Sequence, residues 1–296
     1  MKYIWTLWWQ GMEDAPNIVK VCFESMKTHA NGAKVVILDK NTVNEYIDIP
    51  EHIRRKFQEG KISITHLSDI IRFQLLYKYG GLWVDSTILV TDDIPDWIYD
   101  SDFYTIKNGV GKDDKNIAKG KWTAFLLGGQ AGQAVFQKMN QMFSNYWKKH
   151  DELVCYFLVD FYLKELYEKN DVFKKQIDDL PSYEGNVFAL INAYGDQIKY
   201  EREKQKGIFH KLSWKVKKRK GKMDKISSLI RHIKNLADVK MIREWEFSVV
   251  GITFLNNVTR SSGSKLAHII SDKYNRKLSD VLYNDNKTEV IGESEE

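Results

Sequence analysis

An α/β fold built around a parallel sheet is what this sequence predicts, and three observations predict it. Through the first hundred residues, strand-length runs of β-branched and aromatic residues alternate with helix-length segments, the pattern of strand–helix–strand units. The connections between these runs are short. One helix-length stretch, Ser63 to Tyr79, is apolar almost all round, so it belongs between two layers rather than on a surface.

Taken in order, Tyr3–Trp9 is an apolar run with the length of a buried strand. Pro16 stands near the start of a helix that runs to about His29 and is ended by Asn31-Gly32. Lys34–Asp39 is a second, β-branched strand finishing in a carboxylate, and short helical pieces follow at Val43–Tyr46 and Glu51–Gln58 around Pro50. After the buried helix, Gly80-Gly81 stop the chain, and Leu82-Trp83-Val84 form a strand that delivers Asp85 at its carboxyl end. Asp102–Lys107 and Trp122–Leu127 read as strands on either side of a polar loop, Asn108 to Lys121, long enough for a lid or a mobile surface loop. Residues 132–179 read as helices, most apolar over Val154–Leu166. From Lys204 to Lys225 the chain is crowded with Lys and Arg, densest at Lys217-Lys218-Arg219-Lys220.

Composition removes several classes of function. With 43% hydrophobic and 29% charged residues among 296, the chain is neither disordered nor a fibre. Its two cysteines, Cys22 and Cys155, lie far apart without a CxxC, against a disulfide framework or structural zinc and in keeping with a reducing compartment. The aromatic start, Met1 to Gln10, is too short an apolar run for a signal peptide. Leu153–Leu163, broken by Asp160, is too short to span a bilayer. A cytoplasmic protein is expected, soluble or attached to the inner face of the cell membrane.

Two constellations carry chemistry. Ser68-Asp69-Ile70-Ile71-Arg72 places Asp69 and Arg72 on one face of the buried helix. They could form a plain local ion pair, yet charges seldom enter an apolar helix without buried partners. A hydroxyl-rich, phosphate-bearing ligand would satisfy both, since a carboxylate accepts from sugar hydroxyls and a guanidinium clamps phosphate oxygens. The second is Asp85-Ser86-Thr87, one carboxylate and two hydroxyls beyond a strand end. Alone it reads as a turn, but ligands of parallel sheets bind beyond the carboxyl ends of the strands. Asp160, alone in an apolar run, is either a buried charge of use or half of an ion pair.

The stretch from Ser68 to Arg72, continued by Leu76-Tyr77-Lys78-Tyr79-Gly80-Gly81-Leu82-Trp83-Val84-Asp85, resembles the core motif of DXD-containing sugar-nucleotide glycosyltransferases. It looks most like the capsular polysaccharide synthesis proteins, a branch of that group. Ile4 to Gly11 is similar to the branch's aromatic first strand. The likeness covers residues 1–100, is patchy at Tyr156–Phe161, and returns at Ile208–Lys215.

The resemblance implies a GT-A fold over residues 1–215, with a helical insertion around 132–179. A basic segment and helical extension would follow at 216–296. It implies transfer of a sugar from a nucleoside-diphosphate donor, UDP-sugar favoured, to a glycan or lipid-linked glycan acceptor, with retention of configuration. Trp8 would stack on the nucleobase, and Asp69 and Arg72 would hold the sugar and phosphates. Asp85 matches the first acidic position of the motif. Thr87 stands where the second Asp is usual, so Mn²⁺ or Mg²⁺ would be held more loosely than in the wider group. His210, Lys211 and Trp214, within a segment similar to one that closes over the diphosphate, complete the set, His210 as a second metal ligand beside Asp85. No catalytic base or nucleophile is assigned. The rival reading is a non-catalytic sugar-nucleotide or glycan-binding scaffold with a degenerate metal site.

The basic run at Lys204–Lys225 fits either a solvated face or attachment to an anionic inner leaflet. Nucleic acid is not expected as a partner, because no recognition helix, zinc spacing or RNA-binding aromatic pattern accompanies the charge.

Overall fold

The chain adopts the expected α/β class in a computed structural model that describes residues 1–108, 117–193 and 197–213. The extension at 216–296, Trp214 and the run Lys217–Lys220 lie outside the described residues, as does most of the loop at 109–116. Strands β1 (Tyr3–Leu7), β2 (Lys34–Leu38) and β3 (Gly81–Val84) fall where the apolar runs placed them. Between them come α1 (Asn17–Thr28), α2 (Val43–Tyr46), α3 (Glu51–Gln58) and the long α4 (Ile64–Tyr79). There follow β4 (Ile88–Val90), α5 (Asp96–Asp100), β5 (Tyr104–Thr105) and β6 (Leu126–Gly129). The remainder is α6 (Ala134–Lys149), α7 (Leu158–Lys169), α8 (Asp171–Asp178), α9 (Gln197–Lys204) and β7 (Phe209–Lys211).

The main sheet has five strands in the order β2-β1-β3-β6-β5, and it is mixed rather than parallel. β1 runs parallel to β2 and β3, with Trp5 opposite both Val36 and Trp83. β6 runs antiparallel to β3 and β5. The expectation of a parallel sheet fails after β3, whose neighbour on that side, β6, returns antiparallel. Loop-connected strands return antiparallel, whereas parallel pairing requires a crossover.

Side-chain alternation splits the core into two layers. Ile4, Leu82, Val84 and Leu126 pack with Val19, Phe23 and Met26 of α1 on one face. Trp5, Trp83 and Leu127 pack under α4 on the other, and α6 lies beyond it. Helix α4 therefore has neighbours on opposite sides, which is why it is apolar nearly all round. Ser63 caps its first turn, accepting from the His66 N–H. At its far end Gly80 and Gly81 both take positive φ, 65° and 94°. A Cβ on Gly81 would stand 2.5 Å from the Tyr3 carbonyl oxygen, so only glycine lets β3 close against β1 directly after the helix.

A second, two-stranded sheet pairs β4 with β7, matching Ile88 with Lys211, Leu89 with His210 and Val90 with Phe209. This pairing carries a late segment of the chain back to the carboxyl end of β3. Cys22 and Cys155 are both buried, and they form no disulfide with each other. Among the described residues no helix is long and apolar enough to cross a membrane.

Candidate functional site

A cleft of about 700 Å³ opens beyond the carboxyl end of β3 and is lined by Asp69, Arg72, Asp85, Asp160 and Lys211. Its charged floor is set by local structure. One helical turn separates Asp69 from Arg72, and Arg72 Nη1 lies 3.0 Å from Asp69 Oδ1. Both side chains are buried. Asp85 follows β3 directly, fixed by its N–H donating to the Phe125 carbonyl at 2.9 Å and by its own carbonyl accepting from Ile88. Its Oδ1 accepts from the Trp83 indole N–H at 2.9 Å and lies 3.4 Å from Arg72 Nη2. Its Oδ2 accepts from the Lys211 ammonium at 2.7 Å. Asp85 thus joins two cations, one from α4 and one from β7. The Arg72 guanidinium also sits 5.0 Å from the Trp83 ring, a favourable cation–π position.

The three carboxylates of the cleft have different electrostatics. Burial opposes charge on Asp85, but Lys211 and Arg72 outweigh it and hold its carboxyl below the ordinary carboxylate range. Burial pushes Asp69 up to about 7; Arg72 opposes this, while the charges of Asp85 and Asp160 add to it. Burial also raises Asp160 to about 6, against the Trp122 hydrogen bond and the Arg72 charge. One carboxylate is a committed anion, and the other two carry or release a proton near neutrality.

Asp160 stands in the first turn of α7 and accepts from the Trp122 indole N–H at 3.1 Å. Beside it Tyr156 reaches the rim, its ring edge-on to His66 at 5.4 Å. His66 Nδ1 accepts from the Ser63 hydroxyl at 2.7 Å, and its Nε2–H donates to the Tyr156 carbonyl at 3.3 Å. Phe125 and Phe188 meet edge-to-face at 5.7 Å, with Lys211 4.9 Å from the Phe125 ring. The cleft therefore joins a charged floor to an aromatic rim, a pairing suited to a phosphate group carrying a sugar.

The sequence named Asp69, Arg72, Asp85 and Lys211, and the structure brings these four together. It does not bring the others to them. Trp8 is half-buried against the α1 side of the core, outside the cleft lining. Thr87 is buried in the tight turn after Asp85, and its carbonyl accepts from the Leu212 N–H at 2.8 Å. His210 faces away from Asp85, because neighbours on a strand point to opposite sides. Its Nε2 lies 3.3 Å from Thr91 Oγ1. The expected Asp85–His210 pair of metal ligands is thus not assembled, and Lys211 holds the place beside Asp85. Sequence reasoning missed Trp122 and Phe188, and underweighted Asp160 and Tyr156. A charge on the first turn of an apolar helix, with the Tyr156 ring just before it, was the available signal.

A divalent ion at Asp85 does not fit the described residues as they stand: both of its carboxylate oxygens accept from protein donors, Asp69 is paired with Arg72, and Asp160 is held by the Trp122 indole. Among the described residues, His29, Asp92 and Asp93 could hold a metal, with ligand atoms within 4.8 Å of one another. None of the three lines the cleft.

The family described as capsular polysaccharide synthesis protein matches residues 1–233. Among solved structures, PaToxG glycosyltransferase is similar at 13% identity and a TM-score of 0.37, over 68% of this chain and 77% of that one. No curated protein matches the sequence.

Proposed function

The chain belongs to the capsular polysaccharide synthesis protein family, and from that membership we propose a glycosyltransferase of GT-A type. It moves a sugar from a nucleoside-diphosphate donor, a UDP-sugar by preference, to a capsular or other surface-glycan acceptor at the inner face of the cell membrane. The observation that carries the reading is the arrangement Asp69–Arg72–Asp85–Lys211 beyond the end of β3. Arg72 is buried, yet its Nε–H makes no hydrogen bond among the described residues. A buried donor without a partner is costly unless a ligand completes it.

In this reading Arg72 and Lys211 face the diphosphate, and their positive charge stabilises the leaving group as its negative charge grows. Asp69 and Asp160 accept hydrogen bonds from sugar hydroxyls. Tyr156 and Trp122 shield the ring and help exclude water, which limits donor hydrolysis. The bond from the anomeric carbon to the phosphate oxygen breaks, and a bond to the acceptor oxygen forms on the same face. The acceptor proton passes to the departing phosphate. That route needs no protein nucleophile.

The test is a panel of UDP-, GDP- and CMP-sugars incubated with the full chain and with Asp85→Ala, each with Mn²⁺, Mg²⁺ or EDTA, released nucleotide being quantified. Slow release from one donor, lost in Asp85→Ala, is expected. Binding without turnover, even with glycan acceptors present, points to the non-catalytic scaffold. No binding of any donor overturns the sugar-nucleotide reading.

A further inference from the structure

We infer that Lys211 is the built-in cation of this site, so that a nucleoside diphosphate binds without a divalent ion. The inference rests on the donor reading above and gives the charge partner of the diphosphate a residue number.

Strand β7 places the lysine. β7 pairs with β4, only three residues after Asp85, and sets Lys211 opposite Ile88. The Lys211 N–H donates to the Val187 carbonyl at 2.7 Å, and the next residue, Leu212, donates to Thr87 at 2.8 Å. The backbone at Lys211 is thereby fixed, and its ammonium lies 4.9 Å from the Phe125 ring. It is a seated group rather than a mobile surface lysine, and its side chain is only 19% exposed.

Valence comes next. An ammonium has three N–H donors, and Lys211 directs one to Asp85 Oδ2 at 2.7 Å. It lines the cleft, with donors left for an oxyanion. Arg72 meets the other oxygen of the same carboxylate at 3.4 Å, so the two cations are near enough to share one pyrophosphate. The arrangement keeps both charges partly neutralised by Asp85 until a more anionic ligand arrives.

A divalent ion would have to do more. It would displace Lys211 from Oδ2 and leave that ammonium against the metal charge. It would also need further ligands, and among the described residues these are engaged elsewhere: Asp69 is paired with Arg72, Asp160 accepts from Trp122, His210 is turned toward Thr91, and the Thr87 carbonyl is taken by Leu212. Magnesium and manganese sites are normally completed by one or two carboxylates besides the phosphates. Here the single carboxylate that faces the cleft from the strand end is already paired with lysine.

The experiment is calorimetric titration of UDP and of GDP into the full chain, in EDTA and in Mn²⁺, for wild type, Lys211→Met and Lys211→Arg. Thermal melts of each establish that it is folded. For the wild type, the dissociation constant of the bound nucleotide should change by less than about threefold between the two media. Lys211→Met should bind at least about tenfold more weakly in EDTA, the scale of one charge-assisted hydrogen bond. Mn²⁺ should restore part of that loss, because Asp85 Oδ2 is then open, and Lys211→Arg should retain binding in EDTA. Wild-type binding that needs Mn²⁺ overturns the role of Lys211 and leaves the donor reading standing. Lys211→Met binding as tightly as wild type in EDTA does the same. No binding of either nucleotide in either medium overturns the donor reading and this inference with it.

Discussion

Asp69→Asn should stabilise the fold increasingly as pH rises. Asp69 is buried and its carboxyl is raised from 3.8 to about 7. A carboxyl whose folded value is raised favours the folded state fully below its unfolded value and loses that contribution as pH climbs through the folded value. The window is therefore from about pH 4 to about pH 7. With 1.36 kcal/mol per pKa unit, a rise from 3.8 to about 7 corresponds to about 4 kcal/mol over the whole window. Between pH 4.5 and 8 the change is about 3 kcal/mol by the same linkage. Asparagine has the same size and cannot ionise, so it resembles the protonated acid at every pH. Comparing the variant with wild type at each pH cancels the titrating groups that do not interact with Asp69. Urea unfolding at several pH values gives the two curves, and the Asn variant should gain on wild type across the window. Parallel curves would refute the reasoning. So would an Asn variant that loses ground as pH rises, since that would make Asp69 an ordinary ionised partner of Arg72.

Two further outcomes concern the scaffold under the site. Lys56 is buried on α3 and donates to the carbonyls of Trp147 and His150 at the end of α6, and to Asp151 at 2.9 Å. Lys56→Met strands the buried carbonyls and should cost about 2–3 kcal/mol in urea unfolding, with the pH profile of nucleotide binding unchanged. Gly81→Ala forces a Cβ to 2.5 Å from the Tyr3 oxygen at φ 94°. It should cost about 1–3 kcal/mol or more, read as a lower melting temperature, because β3 cannot then lie in register with β1.

What could be read from the chain beforehand follows from range of interaction. Helix α4 and strand β3 are written locally: an all-round apolar run, a capping serine, two glycines and a short apolar strand. Asp69, Arg72 and Asp85 sit on those elements, so their meeting was legible. The antiparallel direction of the other half was not. Strands were legible at Asp102–Lys107 and Trp122–Leu127, and β5 (Tyr104–Thr105) and β6 (Leu126–Gly129) overlap them, but β6 runs on through Gly128-Gly129, which reads as a turn. Pairing with β3 and β5, not propensity, extends the strand there and sets its direction. Asp160 was ambiguous for a similar reason. Its partner Trp122 is 38 residues away, and only the fold says that both face the cleft. Trp8 follows an aromatic strand and fits the base-stacking role by motif, yet it packs toward α1 and outside the cleft lining.

His210 and Lys211 show where a motif stops and geometry takes over. Both are basic, they adjoin, and the motif reading set His210 beside Asp85. Strand alternation permits only one to face Asp85, and the register of β7 against β4 selects Lys211. Position 87 belongs to the same selection. As a neutral, buried residue whose carbonyl receives Leu212, Thr87 lets β7 dock tightly beside the Asp85 turn. A carboxylate there would add a second anion under that strand, which a metal would then have to neutralise. The threonine at 87 and the lysine at 211 are therefore consistent parts of one arrangement. Each makes sense of the other if the charge opposite the diphosphate is carried by the chain itself.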